Sequence, residues 1–157
     1  MHGSITSRAQ SGRTVRTQAG RLRGAARDES GVLAFKGIPY AAPPLGPLRW
    51  RAPQAPVPWT GARDALAFGP ASLSSLENDQ RPGPRSEDCL TLNVWSPSGA
   101  QRLPVIVWFH GGGFRTGATG MPLMNGKLLA QRGVVVVTAN YRSVSYTHLT
   151  LPTNREV

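Results

Sequence analysis

The chain has 157 residues, 39% of them hydrophobic, which is enough for one modest globular core. Its net charge is +10, but sixteen of the eighteen basic residues are arginines, mostly scattered and not interleaved with aromatic side chains, so a solvated surface is favoured over nucleic-acid binding. No stretch approaches the ~20 apolar residues of a membrane span, and the arginine-rich start lacks the apolar region of a secretory signal.

The chain contains a single cysteine, Cys89, so no internal disulfide bond can form. This composition fits a reducing compartment. We therefore expect a cytoplasmic protein that binds neither nucleic acid nor membrane.

Short strands and an ordered coil are predicted for the first half of the chain. Thr14–Arg23 has the pattern of a hairpin that turns near Ala19-Gly20, and Gly31–Gly37 that of another short strand. Prolines prevent Gly37–Trp59 from forming a helix or a central strand, whereas its aromatic residues argue against a solvated linker. We expect an extended, ordered coil there and a polar surface loop at Leu73–Arg85.

The second half of the chain predicts part of an α/β sheet. In Cys89–Trp95, leucines and a valine alternate with Thr91 and Asn93, as in a half-buried strand. Two apolar segments predict strands that are buried on both faces. A short helix that Gly133 ends is predicted between them. The two buried strands are Leu103–Phe109 and Val134–Tyr141, and the helix is Asn125–Gln131.

Three glycines follow the first buried strand, in the segment "WFHGGGFRTG" at Trp108–Gly117. A phosphate-binding P-loop requires Gly-Lys-Ser/Thr, and a dinucleotide site requires G-x-G-x-x-G, so neither motif fits. Two interpretations of the three glycines remain, a flexible tight turn and an oxyanion hole. His-Gly-Gly-Gly after a strand is typical of lipases and esterases, and the position of His110 suggests that it braces the loop.

Four segments together closely resemble the type-B carboxylesterase/lipase family, which also contains the cholinesterases. They are "FKGIPYAAPPLGPLRWRAPQAP", "SEDCLTLNVWSP", "PVIVWFHGGGF" and "VVVVTANYR", in that order. The resemblance covers about Thr14–Arg142 and implies an α/β-hydrolase fold, in which a small antiparallel sheet precedes a large central sheet. Residues 1–142 would be the N-terminal portion of this domain, truncated within the central sheet.

The resemblance also implies roles for particular residues. The backbone N–H groups of Gly112 and Gly113 would supply two donors of the oxyanion hole, and the residue after the nucleophile would supply a third. Arg49 and Glu87 match a buried structural ion pair of the family. No metal or organic cofactor is implied.

One departure from the family concerns Cys89. In many secreted members the corresponding cysteine is disulfide-bonded to a cysteine that follows a turn like Phe68-Gly69-Pro70-Ala71. Here Ser72 follows that turn. We therefore expect Cys89 to be a free, buried thiol, as in a bacterial, cytoplasmic branch of the family.

A second departure concerns the nucleophile. The family carries its catalytic serine in a Gly-x-Ser-x-Gly elbow, and no serine of this chain has glycine both two residues before it and two residues after it. After Arg142 the sequence departs from the family, and Val144–Leu149 matches one reading frame of a sequencing-library adapter. We expect residues 143–157 to be a non-native tail and the chain alone to be inactive.

The resemblance implies a carboxylic-ester hydrolase for small-molecule esters. A serine would attack the ester carbonyl, a histidine would move the proton and an acidic residue would orient the histidine. One alternative is a non-catalytic, cholinesterase-like adhesion protein, although such proteins carry signal sequences and disulfides. A second alternative is a basic nucleic-acid-binding module, which only the positive net charge supports. Ester specificity and oligomeric state are not predicted.

Overall fold

A computed structural model describes residues 12–73 and 83–143. Most of the predicted loop Leu73–Arg85 and nearly all of the predicted tail therefore lie outside the described residues. The described chain forms a three-stranded sheet and a four-stranded sheet. The small sheet has the order β1-β2-β4 and the large sheet β3-β5-β7-β6, where the strands are β1 (Thr14–Arg16), β2 (Arg21–Arg23), β3 (Val32–Pro39), β4 (Ala62–Asp64), β5 (Thr91–Pro97), β6 (Val105–Phe109) and β7 (Val135–Ala139).

The small sheet begins with the predicted hairpin. Strands β1 and β2 pair antiparallel, and the Thr17 N–H donates to the Gly20 carbonyl across the turn. Strand β4, however, pairs with β2 in parallel, so this sheet is mixed rather than purely antiparallel as expected. The pairing is parallel because the proline-rich coil brings the chain back to the start of β2 before β4 begins. There the Trp59 N–H donates to the Ala19 carbonyl (2.9 Å), and the Trp59 indole donates to the Arg21 carbonyl (2.8 Å).

In the large sheet, β3, β5 and β7 pair antiparallel, and β6 joins β7 in parallel. Strand β3 runs through Pro39, although we expected the proline-rich coil to begin at Gly37. An edge strand tolerates a proline because one side of its backbone has no neighbouring strand, so the missing N–H removes no hydrogen bond of the sheet. The ladder shifts register at Gly37, which has φ +66° and whose N–H donates to the Asn93 side chain (3.0 Å). Further on, the coil contains a short 3-10 turn at Gly46–Leu48.

Strand β5 buries the opposite face from the one its sequence favours. Leu92 and Val94 are half-buried, whereas Thr91, Asn93 and Trp95 are buried. The alternating pattern predicts a half-buried strand, with the apolar residues on one face and the polar residues on the other. In the structure, the face with the polar residues is the buried one. Asn93 is accommodated because it has hydrogen-bond partners in the interior, described below. The buried Thr91 hydroxyl, by contrast, has no hydrogen-bond partner among the described residues.

Helical structure between β6 and β7 is shorter than predicted. A 3-10 turn at Pro122–Met124 precedes the single-turn helix α1 (Lys127–Ala130). The chain leaves this helix through Gly133 (φ +87°), the predicted stop. Ala130 is fully buried against Trp95 and Val136, so α1 covers the middle of the sheet. Among the described helices, none has the length and apolar character needed to span a membrane.

Strand β6 is exposed, which corrects the expectation that it is buried on both faces. Its five apolar side chains are between 39% and 63% exposed. It lies at the edge of the sheet and pairs only with β7 among the described strands. Helix α1 packs on β3, β5 and β7 instead. Strand β7, which lies between two neighbours, is buried or half-buried, closer to the prediction.

We predict that the 157-residue chain self-associates through β6, because an exposed apolar edge strand can pair with another copy. Val107→Lys places a charge in the middle of this strand and should shift the protein towards monomer in light scattering after size exclusion. Gln101→Lys adds the same charge at an exposed position outside the strand and should not. A wild-type chain that is monomeric at high concentration would contradict the prediction.

Candidate active site

The triglycine forms a tight, exposed loop at the carboxyl end of β6. Gly112 has φ +123° and Gly113 φ +59°, and Phe114 continues in the left-handed region at +58°. The Gly112 carbonyl accepts hydrogen bonds from the N–H groups of Arg115 (3.0 Å) and Thr116 (3.2 Å). A Cβ on Gly112 would collide with the Thr116 carbonyl and lie 2.6 Å from its hydroxyl oxygen. Glycine is therefore required at this position by space as well as by φ.

The backbone N–H groups that were predicted as donors lie in the exposed part of the loop. Within residues 12–73 and 83–143, neither the Gly112 N–H nor the Gly113 N–H donates to a backbone carbonyl. Both glycines are exposed, and an ideal Cβ on Gly113 would have nothing within 4 Å. Exposed N–H groups without an internal acceptor can bind an anionic oxygen.

His110 braces this loop, as its position suggested. It is 4% exposed, and its Nδ1 lies 2.9 Å from the Gly111 carbonyl oxygen. One face of the imidazole stacks on the Tyr141 ring, with centroids 4.2 Å apart and planes 16° apart. Gly117 (φ +106°) also lies against the imidazole: a Cβ there would collide with Nδ1 and lie 2.7 Å from Cε1. The ring thus holds the two ends of the loop together.

Tyr141 also reaches the loop backbone. Its hydroxyl donates a hydrogen bond to the His110 carbonyl (2.6 Å). Burial raises the pKa of this hydroxyl, so it remains a donor at neutral pH. Strands β6 and β7 are parallel, and their carboxyl ends meet at one edge of the sheet, so Tyr141 follows β7 beside the loop that follows β6.

A buried polar network anchors the chain just after the loop. The fully buried Asn93 amide donates to the hydroxyls of Thr119 (2.9 Å) and Thr138 (3.1 Å). The Thr119 N–H donates to the Asn140 side-chain oxygen (2.8 Å), and the Asn140 amide donates to the Pro70 carbonyl (3.1 Å). These bonds hold the segment after Gly117 against β5 and β7.

Sequence reasoning assigned no role to Gly117, Tyr141, Asn93 or Asn140. Two signals were available. Asn93 is a polar residue in the middle of an apolar strand pattern, and Asn140-Tyr141 directly follows a buried strand. Polar groups at the carboxyl end of a buried strand often serve a site.

The Arg49–Glu87 ion pair forms, with 2.6 Å between guanidinium and carboxylate, but it is not buried as expected. The Arg49 side chain is 48% exposed and that of Glu87 28%. The pair ties the proline-rich coil to the segment before β5 at the surface, where water weakens the interaction between charges.

Cys89 is a free thiol with no exposed surface, as predicted. Burial raises the pKa of this thiol, whereas a hydrogen bond with Ser72 acts in the opposite direction. The Ser72 hydroxyl also donates to the Ser143 carbonyl (2.8 Å). Ser72 therefore contacts the Cys89 thiol directly.

An exposed glycine loop after an edge strand of the large sheet, braced by a histidine and preceded by a small separate sheet, defines the N-terminal part of an α/β-hydrolase. A solved structure of a PNB esterase matches with a TM-score of 0.77 and 44% identity, over 83% of this chain and 28% of that chain. The described residues thus share the α/β-hydrolase fold of that enzyme.

The chain belongs to the carboxylesterase family, whose model matches residues 11–156. It is 48% identical over 131 residues to the fumonisin B1 esterase of Sphingopyxis macrogoltabida, covering 81% of this chain and 24% of that protein. It is 47% identical over 135 residues to the para-nitrobenzyl esterase of Bacillus subtilis, covering 82% and 27%. The chain therefore spans about a quarter of the length of these relatives.

We predict that Gly117→Ala destabilises the chain more than Gly113→Ala. Both substitutions place alanine at a positive φ, which costs about 1–2 kcal/mol in the left-handed helical region, but only the Cβ at position 117 collides with His110. The free energy of unfolding, measured in urea, should fall by about 3 kcal/mol or more for Gly117→Ala. Equal losses for the two variants would contradict the packing of His110 on Gly117.

We also predict that Ser72→Cys forms a disulfide with Cys89 under oxidising conditions, because their side chains are already in hydrogen-bond contact. After unfolding in denaturant, which exposes the buried Cys89, both thiols should then resist alkylation until reduced, as mass spectrometry can show. Ser30→Cys introduces a cysteine in the loop before β3 and should leave both thiols free. Persistent free thiols in an oxidised Ser72→Cys protein would contradict the contact.

Proposed function

We propose that the chain is the N-terminal part of a serine carboxylesterase, in which Gly112 and Gly113 donate two hydrogen bonds to the oxyanion. The observation that carries this proposal is a pair of exposed N–H groups in a braced loop at the carboxyl end of β6, which donate to no backbone carbonyl in the described part of the chain. Membership of the carboxylesterase family supports it.

Attack on an ester carbonyl by a serine hydroxyl converts the carbonyl oxygen into an oxyanion. The two glycine N–H groups would stabilise that charge, and each such donor lowers the free energy of the transition state by about 3 kcal/mol. The serine, the histidine that takes its proton and the acidic residue that orients the histidine would come from sequence beyond this chain, as would the third N–H donor. No metal or organic cofactor takes part in this mechanism.

The proposed substrate is a small-molecule carboxylic ester, and neither nucleic acid nor membrane is a partner. The names of the relatives, fumonisin B1 esterase and para-nitrobenzyl esterase, support this class without choosing a member of it. We further propose a cytoplasmic, reducing location, supported by the buried free Cys89 beside Ser72.

The 157-residue chain alone should not hydrolyse p-nitrophenyl esters above the rate without protein, because no serine lies in a Gly-x-Ser-x-Gly elbow. Intact mass after incubation with a fluorophosphonate probe provides a second measurement. Stoichiometric labelling that a single Ser→Ala substitution abolishes would contradict this expectation.

The oxyanion role can be tested in a chimera, in which residues 12–143 replace the matching segment of the Bacillus subtilis para-nitrobenzyl esterase. Gly113→Ala should lower kcat and kcat/KM together, by about 10²–10³. The substitution would turn the N–H donors away from the oxyanion, and these donors act mainly by stabilising the transition state. The matched control is Gly99→Ala, another glycine at positive φ (+77°) with open space for a Cβ, remote in sequence from the loop. Similar kcat values for the two variants would indicate that the triglycine is only a turn.

A further inference from the structure

Tyr141 contacts the residues on both sides of the triglycine. Its hydroxyl donates to the His110 carbonyl (2.6 Å), and its ring stacks on the His110 imidazole at 4.2 Å. The Phe114 ring packs on Tyr141 edge-on, with centroids 5.7 Å apart and an interplanar angle of 65°. One side chain therefore holds the residue before the three glycines and the residue after them.

The glycines themselves cannot set the direction of their N–H groups. They have no side chains to pack, they are exposed, and glycine has the widest range of backbone conformations. The orientation of the Gly112 and Gly113 N–H groups must therefore be imposed by the ends of the loop. At its start, the hydrogen bond from Tyr141 fixes the His110–Gly111 peptide plane. At its end, the Gly112 carbonyl is held by Arg115 and Thr116.

We propose that Tyr141 is a positioning residue for the oxyanion loop: its hydroxyl and ring hold His110 and Phe114 so that the Gly112 and Gly113 N–H groups stay aligned for one oxygen. This inference rests on the proposed function. Aligned donors stabilise developing charge without reorganisation during the reaction, so small losses of alignment lower the rate rather than substrate binding.

The chain offers a matched control for the hydroxyl. Tyr40 also donates to a backbone carbonyl, that of Asn140 (2.7 Å), which is the residue just before Tyr141. Tyr141→Phe and Tyr40→Phe therefore each remove one hydroxyl that donates to a backbone carbonyl and keep the aromatic ring. Of these two hydroxyls, the one that donates to the His110 carbonyl is that of Tyr141, so a purely structural role predicts similar effects for the two variants.

The first measurement uses the full 157-residue chain and needs no activity. Hydrogen–deuterium exchange followed by mass spectrometry reports on the Arg115 and Thr116 amides, which donate to Gly112. Exchange of the peptide that covers residues 111–117 should accelerate several-fold in Tyr141→Phe and remain unchanged in Tyr40→Phe. Unchanged exchange in Tyr141→Phe would overturn the proposal.

The second measurement uses the chimera with the Bacillus subtilis enzyme and p-nitrophenyl acetate. Tyr141→Phe should lower kcat about tenfold with little change in KM, whereas Tyr40→Phe should keep kcat within about twofold of the parent. Equal kcat for the two variants would overturn the positioning role. A folded parent chimera without activity would instead contradict the proposed function, and the exchange experiment would then decide the role of Tyr141.

Discussion

The buried Asn93 amide is the constraint on which the rest of the structure depends. It accepts a hydrogen bond from the Gly37 N–H in β3 and donates to Thr119 and Thr138. A buried amide without partners costs about 1–3 kcal/mol per group, so only an arrangement that supplies all three partners is stable. The three hydrogen bonds offset the cost of turning this polar residue of β5 inward, and the bond to Thr119 fixes the segment after the glycine loop against the sheet.

The glycine loop is held by contacts rather than by its own conformational preference. Phe114 has φ +58°, a conformation that costs a non-glycine residue about 1–2 kcal/mol. The stacked rings of His110 and Tyr141 on one side and the Thr119–Asn140 hydrogen bond on the other offset this cost. A strained loop that its surroundings hold in place is a common way to preorganise backbone donors.

The exposed β6 and the exposed glycine loop are consecutive in the chain and lie at one boundary of the structure. The apolar side chains of β6 are at least 39% exposed, and the loop after it presents N–H groups without backbone acceptors among the described residues. The relatives are about four times as long as this chain.

The sequence by itself determined the hairpin, the order of β5, β6, the helix and β7, the glycine turn and the family, because these follow from local backbone chemistry and from motifs in a fixed order. It did not predict β4. Only the tertiary structure decided that β4 is parallel, that β5 buries Asn93 and that Arg49 and Glu87 pair at the surface. It also decided the exposure of β6 and the contact of Tyr141 with His110. Alternation along a strand divides its residues between two faces, but which face is buried depends on partners that are distant in the chain.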